Sequence, residues 1–298
     1  MTTQPATGAS GARFWAASWP GFVAMALVGS NVSVIAVTQY LPVLAIQSAR
    51  YAVAGFAILA LARVFEIRLV TPRGRDILWV VLGALVGLVG FTLATIVGTR
   101  HAEPGLLGAA VACIPVVLAI MGPLAQRRRP SPRVTGGAVI VSAGAVVVTG
   151  WGHADVIGVT MAALLIICEA GFRLLGAQAL PRMGPWSYSA ATSLAAAVVF
   201  AIMSFIVENP ALTMLVEPES IAAILYLGIV VTALGFVLWF TGVQRMGAGT
   251  AGLCAGLAPP AAAVIGMFFG APPPSPGVWG GMAIIGLGLV VGFLPSAP

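Results

Sequence analysis

The sequence predicts an all-α integral membrane protein of ten transmembrane helices, arranged as two inverted five-helix repeats. Three observations lead there: a composition too apolar for a water-soluble globule, ten apolar runs of spanning length, and self-similarity between the two halves. The chain is 60% hydrophobic and only 7% charged, with a mean hydropathy of +1.06, whereas soluble domains carry about 25% charged residues. Its 298 residues accommodate ten crossings of roughly 20 residues with short loops.

The first eighteen residues are rich in Gly, Ala, Ser and Thr, carry Arg13 alone as a charge, and read as a flexible cytoplasmic tail. Apolar runs bounded by charges, Pro and Gly then place spans near 19–40, 42–64, 77–98, 104–125 and 134–151. The second half repeats the pattern near 155–180, 186–207, 221–243, 250–270 and 277–294. Two units follow, 19–151 and 155–294, within one membrane domain.

Charge placement orients these spans. All 14 basic residues are Arg, and the net charge is +6. With the first span entering from the cytoplasm, Arg63, Arg68, Arg73, Arg75, Arg127, Arg128, Arg129, Arg133, Arg182 and Arg245 fall on the cytoplasmic side. Arg100 falls on the other, with Glu208, Glu217 and Glu219. Both termini are thus expected in the cytoplasm of a bacterial-type inner membrane, and the basic charge reads as a topology signal in contact with lipid, with no nucleic-acid partner expected.

The repeat is visible by eye. FTLATIVGTR at 91–100 aligns with FVLWFTGVQR at 236–245, which sets Phe91, Leu93 and Arg100 on Phe236, Leu238 and Arg245. The register continues through Ala110, Pro115 and Ile120 on Ala255, Pro260 and Ile265, and after a one-residue slip PSPRVTGG at 130–137 meets PSPGVWGG at 274–281. Five is odd, so the second copy enters from the opposite side. Inverted repeats of this kind are common among secondary transporters, whose sites lie at the midplane between the halves.

Helix breakers at matching positions mark candidate hinges: Pro115 in the first half, Pro259 and Pro260 in the second. The alternative is a packing kink. Arg50, Glu169 and Arg173 are the charges within the spans, each costing at least ~2.5 kcal/mol to insert unless partnered. Glu169 and Arg173 are four apart on one helix face, suited either to a structural ion pair or to recognising a zwitterion. Arg50 could bind a substrate carboxylate or cap a neighbouring helix.

Asn31 and Thr38 share a face of the first span, and Thr95 belongs to a threonine stripe on the third; such residues bind substrate or join helices. Phe236 and Trp239 give the eighth span an aromatic face, either a cavity wall or core. The candidate substrate cavity is therefore Asn31, Thr38, Arg50, Thr95, Glu169, Arg173, Phe236 and Trp239. So few charges within the bilayer favour a substrate with little net charge. Glycine pairs such as Gly83/Gly87 and Gly288/Gly292 let helices approach closely, and the last could serve a homodimer.

Other classes lack their chemistry. Without Lys there is neither a Walker A nucleotide site nor a pyridoxal Schiff base, so ATP is not expected to drive this chain. His101 and His153 are the two histidines, both in expected loops, and no zinc-binding or nucleophile-elbow pattern occurs. No cofactor, metal or catalytic residue is expected, nor a channel filter.

LPVLAIQSARYAVAG at 41–55, TRHAEPGLLGAAVACIPVVLAIMG at 99–122 and GLAPPAAAVIGMFFG at 256–270 together resemble the drug/metabolite transporter superfamily in its EamA-type branch of ten-helix carriers. Within it the chain looks most like the YddG-type bacterial aromatic amino acid exporter. The resemblance implies export of amphipathic metabolites, aromatic or neutral amino acids first, by alternating access. One departure concerns energy coupling: the acidic residue often found after the fourth and ninth helices of the superfamily is absent, with Gln126 and Ala271 in those neighbourhoods.

Overall fold

The computed structural model describes residues 7–37, 42–150, 152–208, 217–268, 270 and 272–294. Among them every long element is a helix, and the sole β-type contact is an isolated bridge between Ala102 and Ala154. A bilayer dictates this, because a helix satisfies its backbone hydrogen bonds internally. The helices are α1 (Thr7–Val37), α2 (Val43–Val64), α3 (Arg75–His101), α4 (Pro104–Ala125), α5 (Pro132–Thr149), α6 (Val156–Val207), α7 (Pro218–Met246), α8 (Ala248–Phe268) and α9 (Pro276–Phe293). Eight of them, α2 to α9, are long and apolar enough to cross a membrane.

One expectation needs correction. The segment read as a tail to residue 18 is helical from Thr7. It is tied to the bundle: Arg245 donates to the Ala16 carbonyl at 2.6 Å. The sixth and seventh spans are two helices that meet across a kink at Gly184 (φ 68°, ψ 171°) and are labelled together as α6. A side chain would be strained in that conformation, and Pro185 beyond it suits the first turn of a new helix. Thus α6 has two arms, 156–183 and 185–207, joined by a single residue.

Irregularities recur at equivalent places in the two halves. Both α3 and α7 contain a π-helical stretch, at Gly83–Gly90 and Tyr226–Leu234, just before the aligned Phe91 and Phe236. Helix α4 breaks at Cys113, and α8 tightens into a 3-10 turn at Cys254–Leu257. Helices α5 and α9 both have 18 residues and begin with Pro after Ser131 or Ser275.

Packing is reciprocal as well. Helix α1 packs on α7 and α8, and the first arm of α6 packs on α3 and α4. Helix α2 and the second arm of α6 pair with each other; each also meets the π stretch of the opposite half. Helices α5 and α9 run antiparallel, so close that a Cβ on Gly137 would fall 2.5 Å from Gly292 and one on Gly144 would fall 2.7 Å from the Gly281 carbonyl. Gly288 and Gly292 are thereby covered by Val141, Gly137 and Leu253 of the same chain. The stripe proposed for self-association is spent on internal packing.

Candidate functional site

Four of the sequence-derived candidates, Glu169, Arg173, Phe236 and Trp239, fall in two clusters. In the first, Arg173 on the first arm of α6 bonds Glu169 Oε1 through Nε (3.0 Å) and Nη2. Its guanidinium lies over the Trp239 ring, 4.2 Å from the centroid, and both Nη atoms reach the Met25 sulfur at 3.9 Å. Stacking of a desolvated guanidinium on indole contributes up to about 2 kcal/mol. That stacking and the carboxylate offset the cost of burying the charge. Trp239 is buried and its indole N–H finds no acceptor.

The second cluster is aromatic. Phe236 lies 5.0 Å from Phe172, and Phe172 meets Phe240 at 5.4 Å. Tyr188, fully buried, completes the group at 4.9 Å from Phe240, its hydroxyl unpartnered. Arg50 stands apart from the ion pair: its Nε donates to Thr232 Oγ1 at 2.8 Å, joining α2 to the π stretch of α7. Thr95 turns its hydroxyl back to the Phe91 carbonyl at 2.8 Å, as interior threonines do. Asn31 has a buried side-chain oxygen without a partner, and Thr38 lies outside the described residues.

The open volume is elsewhere. A cavity of about 490 Å³ opens at the arginine-rich end between α4, the first arm of α6, α7 and α8. Gln126, Arg128, Arg129, Ser131, Gln244 and Arg245 supply its polar wall. None of the seven described candidate substrate residues lines it. Ala177 and Leu180 do; they follow Arg173 on one face of α6, the nearer roughly 6 Å along the axis. The cavity floor therefore lies about one helical turn from the central ion pair.

The candidate hinges also sit differently from expectation. Pro115 lies in the first turn of the piece Ile114–Ala125, and Pro259 and Pro260 open the piece Ala258–Phe268. In a first turn the missing N–H has no intrahelical role, so these prolines begin a helix after a break instead of kinking a continuous one. The breaks themselves, at Cys113 and at the 3-10 turn, are where backbone could pivot.

At the opposite end, among the described residues, two loops are bonded to each other. Loop 101–104 and loop 150–155 exchange backbone bonds, Glu103 N–H to the His153 carbonyl (3.0 Å) and Asp155 N–H to the His101 carbonyl (3.2 Å), around the Ala102–Ala154 bridge. His101 Nδ1 meets Asp155 at 2.8 Å, and His153 meets Glu103 at 3.6 Å. The Gly158 N–H and then His101 hold the Asp155 carboxyl below the usual aspartate range. Beside them, both oxygens of Glu208 accept from the N-terminus of α2, Leu44 N–H at 2.8 Å and Ala45 N–H at 3.0 Å.

This paired architecture is found in known proteins. Residues 156–294 match the EamA-like transporter family. Over 238 residues the chain is 23% identical to the uncharacterized transporter YdeK of Bacillus subtilis (strain 168), covering 78% of this chain and 81% of that protein. It is 22% identical over 250 residues to the uncharacterized transporter YetK of the same strain, covering 81% and 76%. A protein crystal structure shares the fold, with a TM-score of 0.80 at 21% identity, spanning 93% of this chain and 97% of that one.

The EamA-like half supplies the first arm of α6, α7 and α8, hence most of the cavity wall and the whole Glu169–Arg173–Trp239 cluster. Sequence reasoning missed three features of the site. The arginines of the cavity wall were read only as topology markers, Glu208 only as a loop acid, and Tyr188 not at all. For Tyr188 a signal existed: Gly83 and Gly176, on two helices, both leave space for its ring.

Proposed function

We propose that this protein is a secondary transporter with ten spans in a 5+5 inverted arrangement, exporting small amphipathic metabolites by alternating access. The observation that carries this reading is the asymmetry of the interface between the halves: an open cavity at one end and a bonded seal at the other, with an ion pair and aromatic cluster between them. Reading α1 as a span and the two arms of α6 as one span each supports the count of ten. The arginine-rich end is then the cytoplasmic face of an inner membrane, and both chain ends lie there.

In this mechanism substrate enters from the arginine-rich end and reaches Glu169, Arg173 and Trp239, with Phe236 beside them. The breaks at Cys113 and Cys254–Leu257, each followed by its prolines, let the cavity close behind it while the seal at 101–104 and 150–155 parts. Aromatic or neutral amino acids are the first substrate class to try. The resemblance to YddG-type exporters supports that choice, as do an adjacent carboxylate and guanidinium that match an amino acid's two charges.

The test is a substrate screen in proteoliposomes across neutral amino acids, organic cations and nucleotide sugars, with Trp239→Ala alongside. Transport of aromatic amino acids that is lost in the variant supports the reading; transport of cations or nucleotide sugars alone replaces the substrate class. Movement of none of these overturns the transporter reading. Should transport ignore both a pH gradient and Glu169→Gln, proton coupling through Glu169 is excluded.

A further inference from the structure

Helix α4 ends as α2 does at Glu66 (φ 54°), on a non-glycine residue in the left-handed region. Arg127 adopts a left-handed conformation (φ 56°) and the Arg128 N–H donates to the Pro123 carbonyl at 2.8 Å, a helix stop that ordinarily uses glycine. A side chain in that position costs on the order of 1 kcal/mol. Its consequence is an immediate reversal of the chain, which returns Arg128 and Arg129 along the end of α4 into the cavity wall. Arg245 reaches the same wall from α7, steadied by the Ala16 carbonyl.

Arg128, Arg129 and Arg245, all exposed, thus line one cavity of about 490 Å³ whose described lining contains no Asp or Glu. Of the carboxylates near this end, Asp76 is engaged by Arg182, and Glu66 lines a separate hollow with Leu59 and Leu69. Insertion topology accounts for arginine anywhere in the loops of this face. It does not require three of them to line one cavity. Like charges lining one concavity raise the local potential and concentrate an anion there.

We infer that this cavity is an anion-binding vestibule that takes the oxyanion of a carboxylate-bearing small molecule, so that an acidic group is a required feature of the substrate. The inference rests on the transporter reading for direction of movement but not for binding. It refines the expectation of low net charge, because that expectation concerned the bilayer interior, and these arginines stand at its edge. A lipid phosphate offers the same chemistry, and the experiment separates the two sources.

Purified protein in nanodiscs of neutral lipid is titrated with three aromatic probes of graded charge: N-acetylphenylalanine, phenylalanine and phenylalaninamide. The anion is expected to bind about tenfold more tightly than the cation, with the zwitterion between them. Arg128→Gln/Arg129→Gln is expected to bring the three within about twofold, as is raising salt from about 0.05 to 0.5 M. Arg128→Lys/Arg129→Lys, which keeps the charge, is expected to retain the ranking and controls for misfolding.

Equal binding of all three probes to the unaltered protein overturns the inference, as does a ranking unchanged in the Gln variant. If phosphatidylglycerol added to the nanodiscs competes with the anion and the Gln variant abolishes that competition, the site belongs to lipid headgroups and the substrate assignment fails. Charge-graded binding without transport of any compound would sink the transporter reading and leave the vestibule standing. Transport indifferent to substrate charge would do the reverse.

Discussion

The two ends of the bundle are held by different chemistry. At the sealed end, loops bond backbone to backbone, a β-type bridge joins Ala102 to Ala154, and Glu208 caps α2 with two short bonds. At the arginine-rich end the connections are long side chains reaching exposed carbonyls: Arg245 to Ala16, Arg133 to Leu294 and Arg182 to Thr71 and Arg73. Backbone contacts are short, geometrically exact in their partners and insensitive to salt. Exposed arginine contacts are individually weak and exchange readily for water. An end built from the second kind can hold a cavity open or close it at little cost, whereas the first kind must be released as a unit.

That contrast predicts where substitution matters most. Gly158 lies against the sealed loop so tightly that a Cβ would overlap the His101 carbonyl oxygen and come within 2.9 Å of the Ala154 Cβ. Backbone cannot yield as a side-chain tip can. Gly158→Ala is expected to destabilise the protein by about 2 kcal/mol and to raise hydrogen exchange at the Glu103 and Asp155 amides together. Exchange at those amides matching the unaltered protein would show that the seal is more yielding than its geometry implies.

Next in size is Glu208→Ala, which leaves the Leu44 and Ala45 N–H groups without acceptors and removes a negative charge from a helix N-terminus. The expected loss is about 1–2 kcal/mol in thermal unfolding, with a smaller loss for Glu208→Gln, which keeps one acceptor. Because Glu208 links the second arm of α6 to α2, the variant should also expose the start of α2 to exchange while the 101–104 loop stays protected. Simultaneous exposure of both would merge the two contacts into one seal.

Acid should loosen the same end through Asp155, a group whose pKa is depressed in the folded protein. Such a carboxylate contributes stability above its ordinary pKa and loses it as pH falls through the folded value. The bonds from Gly158 and His101 therefore persist at neutral pH and fail only below about pH 4. Hydrogen exchange at the Glu103 amide, corrected for its intrinsic rate, should rise over that acidic window, and Asp155→Asn should flatten the dependence. A rise centred near neutrality would assign the control to another group.

How much of this was legible beforehand divides along the same line. Helix α2 begins and ends within a residue of its apolar run, because a bilayer demands a fixed apolar length and the flanking Pro42 and Arg63 punctuate it. The matched breaks in α4 and α8 followed from aligning Pro115 with Pro260, although the prolines turned out to start helices. The π stretches were not legible: GALVGLVG and YLGIVVTAL carry no residue that distinguishes them from ordinary α-helix. Neither was the Glu208 cap, since Glu208 and Leu44 are 164 residues apart and a loop acid reads as solvated. The vestibule escaped because topology explained its arginines sufficiently; only their shared place in one cavity lining sets three of them apart from the rest.

The smallest effect is expected at the open end, and it tests the comparison most sharply. Arg182 is half exposed and pairs with Asp76, which also accepts from the Arg73 N–H at 3.2 Å and so closes the turn ahead of α3. Arg182→Gln removes one cation from a carboxylate that keeps its backbone partner. The loss should stay below about 1 kcal/mol and shrink further as salt is raised. Asp76→Asn, which weakens the turn as well as the pair, should cost more than Arg182→Gln at every salt concentration. If instead the two variants cost the same and neither responds to salt, the ion pair acts as a fixed strut, and the arginine-rich end would be as rigidly built as the sealed one.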